Sequence, residues 1–197
     1  MSKYDAHEDP YLNPVSGVLY NLHGIDDEDL LEAVEADFTA GRAYQLREKP
    51  LQGDFDLKHL QAIHRYMFQD TYAWAGEIRT LDISKGADRF CNFKHIESEM
   101  AKITAKLAAD DHLLGLQPTD FADKAAHYFA DINAVHPFRE GNGRAQREFI
   151  NHLAANAGYV VAWENAPPTE LLNCTIEAHH RSEKPLAALI ARHLTRR

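Results

Sequence analysis

Residues 136–147 read HPFREGNGRAQR, and this stretch decides how the fold of the chain is interpreted. The proline in its second position ends the preceding helix, because the residue ahead of a proline is pushed out of the helical region. Gly141 and Gly143 flank Asn142, so the backbone there can turn sharply and approach a ligand closely. A further helix begins near Gly143 and runs to about Ala157. The stretch is therefore predicted to be a tight loop that joins two helices.

The composition of this loop favours phosphate binding. The N–H groups exposed by the turn and by the helix N-terminus form an anion site. Arg144 and Arg147 are three residues apart, so both project from the first helical turn, where their forked donors match phosphate oxygens. Glu140 would be repelled by phosphates unless a divalent cation lay between them, and Mg²⁺ takes one or two carboxylates together with phosphate oxygens. The combination predicts a nucleoside triphosphate bound with Mg²⁺.

His136 is the candidate general base, because the ordinary pKa of histidine suits proton transfer near neutral pH. Phe138 is predicted to anchor the loop in the core. Taken singly, a histidine at a helix end commonly caps or packs, and a Gly-x-Gly is usually only a turn. Their conjunction within one short stretch favours a site. The other histidines, including the pair His179-His180, are interpreted as structural, and no second ligand at metal spacing supports a zinc site.

Helical periodicity extends outward from this loop in both directions. Apolar residues recur at helical spacing in segments that begin near residues 26, 54, 96 and 119, and two last helices are predicted near 168–181 and 185–195. Residues 79–93 differ, because two short extended segments surround the turn-rich run 84–88 and predict a hairpin. The predicted fold class is all-α with one small β-hairpin.

The composition of the chain restricts the classes of function that it can have. The chain has 197 residues and 45% hydrophobic content, enough for one domain with a core. The net charge of −9 argues against a nucleic-acid clamp, and Cys91 and Cys174 are interpreted as free thiols. The N-terminus has no apolar signal region, and no apolar run approaches the ~18 residues that span a bilayer. These features predict a soluble cytoplasmic protein, unless dedicated machinery exports it, with no direct nucleic-acid or membrane partner.

The stretch HPFREGNGRAQR resembles the Fic family motif HPFx[D/E]GNGRxxR at every defining position. The segment WAGEIR at 74–79, ahead of the hairpin, is also similar to that family. The resemblance covers roughly residues 54–197, which would form the Fic (Fido) domain, with 1–53 as an N-terminal arm and helix packed on its core. DPYLNP at 9–14 and GVLYNLHGI at 17–25 further resemble the bacterial toxin branch. The implied fold is a Fic helical bundle whose hairpin is the family's flap.

The resemblance implies a protein adenylyltransferase, which transfers AMP from ATP to a hydroxyl of a target protein. His136 would activate that hydroxyl, and Glu140 would hold Mg²⁺. Arg144 would contact the β-phosphate and Arg147 the γ-phosphate, and attack at the α-phosphorus would release pyrophosphate. The α- and β-phosphates would also be bound by Gly141, Asn142 and Gly143.

The flap and the adenine pocket are also assigned by resemblance. The free edge of the flap would pair with an extended target segment by strand addition. The flap residues that would face the target or the nucleotide are Arg89, Phe90, Cys91 and Asn92. For Phe90, ordinary packing within the hairpin is an equal alternative. Asn173 would lie near the adenine.

Regulation and targets follow from the same resemblance. Many Fic proteins carry an inhibitory [S/T]xxxE[G/N] helix, but here Glu140-Gly141 is preceded at that spacing by His136, and Glu164-Asn165 by Val160. The chain therefore resembles the class inhibited by a small antitoxin, whose glutamate would pair with Arg147. Toxins of this branch typically modify a tyrosine in the ATPase subunits of DNA gyrase and topoisomerase IV.

Other functions stay open at this point. A Fic-type enzyme that transfers phosphate, UMP or phosphocholine is one alternative, although the GNGR run and the intact Arg147 favour attack at the α-phosphorus. A non-catalytic, nucleotide-gated binding module is a second, although His136 and Glu140 are both present. A metal-free hydrolase that uses these two residues is a third, and it explains neither arginine.

Overall fold

The computed structural model describes residues 9–86 and 88–197. Within them the chain forms seven α-helices, three short 3-10 turns and two pairs of short strands. The helices are α1 (Glu28–Glu48), α2 (Leu57–Phe68), α3 (Ile96–Ala109), α4 (Pro118–Val135), α5 (Asn142–Asn156), α6 (Pro168–His180) and α7 (Lys184–His193). The strands are β1 (Ser84–Lys85), β2 (Asp88–Arg89), β3 (Tyr159–Val161) and β4 (Leu194–Arg196). The predicted all-α class with a small hairpin is confirmed.

Side-chain caps and prolines set the helix ends that matter most for the loop. Asp27 caps α1 and Asp56 caps α2, because each carboxylate accepts an N–H bond from the first helical turn, at 2.8 Å in both cases. Helix α4, predicted to begin near residue 119, begins at Pro118, since proline is well suited to the first position of a helix. At its other end, α4 stops where His136 adopts a left-handed backbone conformation ahead of Pro137.

Helices α4 and α5 form the centre of the molecule, and the loop 136–141 connects them. The core face of α4 packs against α3, α5, α6 and α7, and α5 packs against α1 and α2. The apolar side chains of α5 include the fully buried Phe149, Ile150 and Leu153. Burial of this kind contributes about 1.5–3 kcal/mol for each large side chain. The loop is therefore held between two helices that packing fixes in place.

The strands differ from the sequence expectation in one respect. The β1–β2 pair is the predicted hairpin, and Ala87, between the two strands in sequence, lies outside the described residues. The second antiparallel pair, β3–β4, joins Tyr159–Val161 to Leu194–Arg196 and was not predicted. Helix α7 correspondingly ends at His193 instead of continuing to 195. Three-residue strands are too short to leave a periodicity, so only the tertiary pairing reveals them.

Two further sequence expectations concern thiols and membranes. Cys91 and Cys174 are free, as predicted. No helix in the described ranges is long and apolar enough to cross a bilayer. Residues 1–8 of the predicted N-terminal arm lie outside the described residues, and the rest of the arm leads into α1, which packs against α2 and α5.

Candidate active site

The loop between α4 and α5 is closed by its own side chains. Asn142 accepts a hydrogen bond from the N–H of Phe138 at 2.8 Å and donates one to the carbonyl of Phe138 at 2.7 Å. Phe138 is fully buried, as predicted for a loop anchor. The side chain of Asn142 is thus committed to the loop. What it can offer an anion is its backbone N–H, which lies with that of Gly143 in the first turn of α5.

Gly141 is required where it stands for two independent reasons. Its φ of 78° lies in the left-handed region, and a Cβ added there would lie 2.2 Å from Cζ of Phe68. Phe68 is itself fully buried on α2. The close approach between loop and helix therefore depends on the absence of a side chain at this position.

His64 joins α2 to the loop as a neutral imidazole. Its Nδ1 accepts a hydrogen bond from the N–H of Gly76 at 2.9 Å, so Nε2 carries the proton and donates to the carbonyl of Glu140 at 2.9 Å. The ring stacks between Phe138 and Phe68. Complete burial lowers the pKa of His64 to about 3. Both nitrogens are committed, so a second proton would break the contact with Gly76.

The buried neutral state of His64 predicts a specific acid sensitivity. The pKa is lowered on folding, so the unfolded chain binds the extra proton first, and stability is lost as pH falls from about 6.5 towards 3. Between pH 7 and pH 5 this residue alone should cost about 2 kcal/mol of unfolding free energy. Urea denaturation at both pH values should show a correspondingly smaller pH dependence in His64→Gln. An unchanged pH dependence in that variant would contradict the assignment.

His136 lies at the end of α4, facing the pocket, and is covered by the flap. Its Nδ1 lies 3.1 Å from the carbonyl of Asn133, which can only accept, so Nδ1 carries the proton and Nε2 keeps its lone pair. The ring of Phe90 stacks on the imidazole with centroids 3.8 Å apart. Burial lowers the pKa of His136 to about 3, with the nearby charge of Arg79 acting in the same direction. The imidazole is therefore neutral at physiological pH, as a proton acceptor must be.

Arg79 connects the hairpin to the loop 136–141, and sequence reasoning assigned this residue no role beyond its place in WAGEIR. Its guanidinium is buried and donates to the carbonyls of His136, Leu81, Cys91 and Val135. The residue before the loop and the residue after the hairpin are thus held by one side chain. Because a guanidinium has five donors in a fixed plane, it sets the orientation of all the carbonyls it binds.

The two arginines of the first turn of α5 have different surroundings. Arg144 donates to Glu35 of α1 at 2.5 Å, lies 3.5 Å from Glu140, and stacks over the ring of Phe68. Arg147 has no carboxylate within 4.0 Å of its guanidinium among residues 9–86 and 88–197. Burial, together with the repulsion from Arg144, lowers the pKa of Arg147 to about 10. The uncompensated charge of Arg147 makes this end of the pocket attractive to an anion.

Glu140 is fixed beside these arginines. One carboxylate oxygen accepts the N–H of Gly141 at 2.9 Å, and its backbone carbonyl accepts from His64. The side chain is mostly buried and borders the same cavity as Arg144 and Arg147. A hard carboxylate ligand therefore lies where phosphate oxygens would also gather, which is the donor set that Mg²⁺ prefers.

A single cavity of about 780 Å³ joins these groups, a size suited to a nucleotide. One wall carries His136, Glu140, Arg144 and Arg147. The lining also includes the apolar side chains of Leu171, Leu172 and Ile176 of α6 and of Trp163. Asn173, which is predicted to lie near the adenine, is exposed and is not among the residues that line the cavity. It lies beside the face of α6 that carries Leu171, Leu172 and Ile176, since residues three and four apart share a helix face.

The four predicted flap residues lie in different surroundings in the structure. Phe90 lines the cavity and covers His136, whereas Arg89 is exposed on β2. Cys91 donates its N–H to Ala134 of α4 and its carbonyl accepts from Arg79, so it anchors the flap. Asn92 is exposed and caps the following 3-10 turn, accepting the N–H of Lys94. Of the four, Phe90 alone contacts the imidazole of His136.

Sequence reasoning missed the acidic residues that come from the N-terminal part of the chain. Glu35, which is 2% exposed, holds Arg144, and Asp9 holds the buried Arg139 at 2.6 Å. Glu35 lies on the helical stripe of α1 that also carries Leu31 and Thr39. A carboxylate within an otherwise buried stripe was the available signal, because buried acids are almost always paired.

Comparison with known proteins agrees with this geometry. The sequence profile of the Fic/DOC family matches residues 54–154. Protein adenylyltransferase VbhT of Bartonella schoenbuchensis is 43% identical over 195 residues, covering 99% of this chain and 41% of that protein. Probable protein adenylyltransferase y4lH of Sinorhizobium fredii is 40% identical over 193 residues, covering 98% and 99%. The chain thus spans about two fifths of the first relative and nearly all of the second.

The fold also matches a solved structure. The crystal structure of BepC, a VirB-translocated effector of Bartonella tribocorum with bound AMPPNP, superposes with a TM-score of 0.89 at 28% identity. The match covers 95% of this chain and 97% of that one. It therefore includes α1 and α6 as well as the segment matched by the family profile.

Proposed function

The chain belongs to the Fic/DOC family, and from that premise we propose that it is a protein adenylyltransferase that transfers AMP from ATP to a hydroxyl of a target protein. The observation that carries the proposal is the cavity that places the neutral His136, the carboxylate of Glu140 and the uncompensated Arg147 on one wall. The names of VbhT and y4lH, and the ATP analogue bound to BepC, support the same reaction.

In the proposed reaction, Nε2 of His136 takes the proton of the target hydroxyl. The hydroxyl oxygen attacks the α-phosphorus of ATP, the bond from that phosphorus to the β-bridging oxygen breaks, and diphosphate leaves with the bonding electron pair. Arg144 and Arg147 stabilise the charge that develops on the leaving group. The N–H groups of Asn142 and Gly143 lie at the helix start, where a phosphate is favoured.

Glu140 is the residue that would hold Mg²⁺ with the phosphates. The fit rests on its position, because one oxygen is fixed by Gly141 while the side chain borders the cavity between Arg144 and the loop. A bound Mg²⁺ supplies charge neutralisation and alignment of the phosphate oxygens. A single protein carboxylate is the usual number when the substrate itself provides oxygen ligands.

The apolar wall of α6 is the proposed adenine side of the cavity. Leu171, Leu172 and Ile176 line it, and the last two are 50% and 47% exposed, so a flat base would cover them. Burial of such surface stabilises binding by about 25 cal/mol per Å². The adenine role predicted for Asn173 is thereby replaced by an apolar contact.

The target would enter over the flap. Phe90 covers His136 in this structure, so a docking segment has to displace its ring before the hydroxyl reaches Nε2. Pairing of an extended segment with the short β1–β2 hairpin would provide the register. From family resemblance we carry over a tyrosine of the ATPase subunits of DNA gyrase and topoisomerase IV as the candidate target, reached in the cytoplasm.

A small antitoxin is the proposed regulator. Its support is the asymmetry between the arginines: Arg144 already holds Glu35, whereas Arg147 has no carboxylate partner in the described part of the chain. A partner helix that brought a glutamate to Arg147 would occupy the position of the γ-phosphate. The isolated chain should accordingly be active and its complex inactive, and equal inactivity of both would contradict this mode of regulation.

The activity test uses purified chain, Mg²⁺ and a bacterial lysate, with ATP labelled in parallel at the α- or the γ-phosphate. AMP transfer predicts label on a protein band from α-labelled ATP alone, and the mass of that band identifies the target. Label from γ-labelled ATP alone would make the chain a phosphotransferase. No label from either, with ATP binding intact, would favour the nucleotide-gated binding module.

Replacement of Arg147 by alanine should raise the KM for ATP by about tenfold to a hundredfold, because hydrogen bonds to charged groups contribute about 1.5–3 kcal/mol. Arg147→Lys should recover part of this loss, since the charge remains but the forked geometry is gone. Initial rates at varied ATP measure both. Wild-type KM and kcat in Arg147→Ala would exclude a γ-phosphate role.

A further inference from the structure

A second group of ligating side chains lies beside the cavity, which two of its three members line. Asp88 comes from β2 of the flap, and His179 and His180 come from the C-terminal end of α6. One ligand atom from each lies within 4.8 Å of the others, and Nε2 of His180 is 3.1 Å from Oδ2 of Asp88. Asp88 and His179 are partly buried and His180 is exposed, so solvent ions reach them.

We propose that Asp88, His179 and His180 form a binding site for a divalent transition-metal ion of the zinc type. Two imidazoles and one carboxylate are ligands that Zn²⁺ prefers, whereas Mg²⁺ favours oxygen ligands alone. The proposal departs from the sequence-based interpretation of His179-His180 as structural. The missing ligand was Asp88, which is 92 positions away from His180 in sequence and is brought near it only by folding.

The geometry needs only a small adjustment. Bond lengths of about 2.0–2.1 Å in a tetrahedral site place ligand atoms roughly 3.3 Å apart. The Asp88–His180 pair already meets that spacing, and the 4.8 Å limit on the remaining separations is within reach of side-chain rotation. Three protein ligands leave one position for water, which is the composition of an open zinc site.

A bound ion would connect the flap to α6 across the cavity. Asp88 and His179 both border the cavity, and Phe90, two residues beyond Asp88, stacks on His136. Fixing Asp88 to α6 would keep the ring of Phe90 over the catalytic imidazole. The site therefore acts as a metal-dependent clamp that opposes target docking, a consequence that rests on the proposed function, although metal binding itself does not.

Metal binding is tested first. The full chain, free of ATP and Mg²⁺, is titrated with Zn²⁺ and, separately, with Co²⁺, which replaces Zn²⁺ and absorbs visible light. The wild type should bind one ion with the visible bands of tetrahedral Co²⁺, and His180→Ala should weaken that binding at least tenfold. Asp88→Asn should act in the same direction. Wild-type affinity and spectrum in His180→Ala would overturn the site.

His127→Ala is the matched control. The exposed fraction of His127, 40%, is close to the 41% of His180, and His127 also contacts carboxylates. Those carboxylates, Asp131 and Glu183, lie on opposite ring nitrogens and so cannot share one ion with the ring. The variant should bind Zn²⁺ as the wild type does, and an equal loss in both variants would point to nonspecific histidine binding and overturn the proposal.

The clamp is tested next by transfer assays at fixed Mg²⁺ and increasing Zn²⁺. Inhibition should occur in the wild type and shift at least tenfold to higher Zn²⁺ in His180→Ala. Equal inhibition of both would mean that Zn²⁺ displaces Mg²⁺ near Glu140, and the clamp would be wrong. If no variant labels any target while Co²⁺ binding depends on His180, the proposed transferase function fails and the metal site stands.

Discussion

His136→Ala should lower the rate of AMP transfer by about 10³-fold, within the range that a positioned general base contributes. Nε2 of this ring holds the lone pair that faces the cavity, because Nδ1 donates to the carbonyl of Asn133. ATP affinity should change little, since the phosphate contacts assigned to Arg144 and Arg147 remain. Single-turnover rates and calorimetric ATP binding on the same preparations separate the two effects.

The control for His136→Ala separates the effect of backbone strain at this position from the loss of the imidazole. His136 has a φ of 51°, a conformation that asparagine tolerates better than alanine does. His136→Asn should therefore be as inactive as His136→Ala while keeping more of the wild-type stability. Transfer at the wild-type rate in either variant would remove His136 from the mechanism.

Gly141→Ala should destabilise the fold by about 3 kcal/mol. A left-handed φ costs an alanine roughly 1–2 kcal/mol, and the overlap of its Cβ with Phe68 adds about 1–3 kcal/mol of overpacking. Phe68 cannot move away freely, because it packs against His64 on one side and Arg144 on the other. The expected fall in Tm is about 6–12 °C for a chain of this size.

Gly158→Ala provides the comparison. Gly158 has a similar φ of 81°, but an added Cβ there would meet nothing within 4 Å. This variant should lose only the backbone contribution of about 1–2 kcal/mol. Denaturant midpoints for the two variants thus isolate the steric part of the effect at Gly141. Equal losses in both would show that Phe68 yields to the new methyl group.

The sequence was sufficient for the parts of the site that lie close together in the chain. The residues from His136 to Arg147 form one loop and one helical turn, so their order alone predicts which side chains gather. Phe138 as a buried anchor and the short hairpin were predicted from local patterns and are found in the structure. Local signals were enough because a turn and a helix start are determined by neighbours in sequence.

Contacts between residues that are far apart in the sequence could not be predicted from local patterns. The Glu35–Arg144 bond joins residues 109 positions apart, and the stacking of Phe90 on His136 joins different elements. No periodicity records such a pair, since each partner looks ordinary in its own segment. Asn173 was assigned by resemblance, and the structure places it on α6 outside the face that lines the cavity.

The buried pairs Asp9–Arg139 and Glu35–Arg144 bear on how this protein can be divided or recombined. Both acids precede residue 54, whereas both arginines lie within the segment matched by the family profile. A fragment trimmed to that segment would keep the motif intact but lose both acidic partners, and breaking a buried ion pair costs about 3–5 kcal/mol. The motif is therefore not self-sufficient. A scaffold that receives it by grafting must also supply carboxylates equivalent to Asp9 and Glu35.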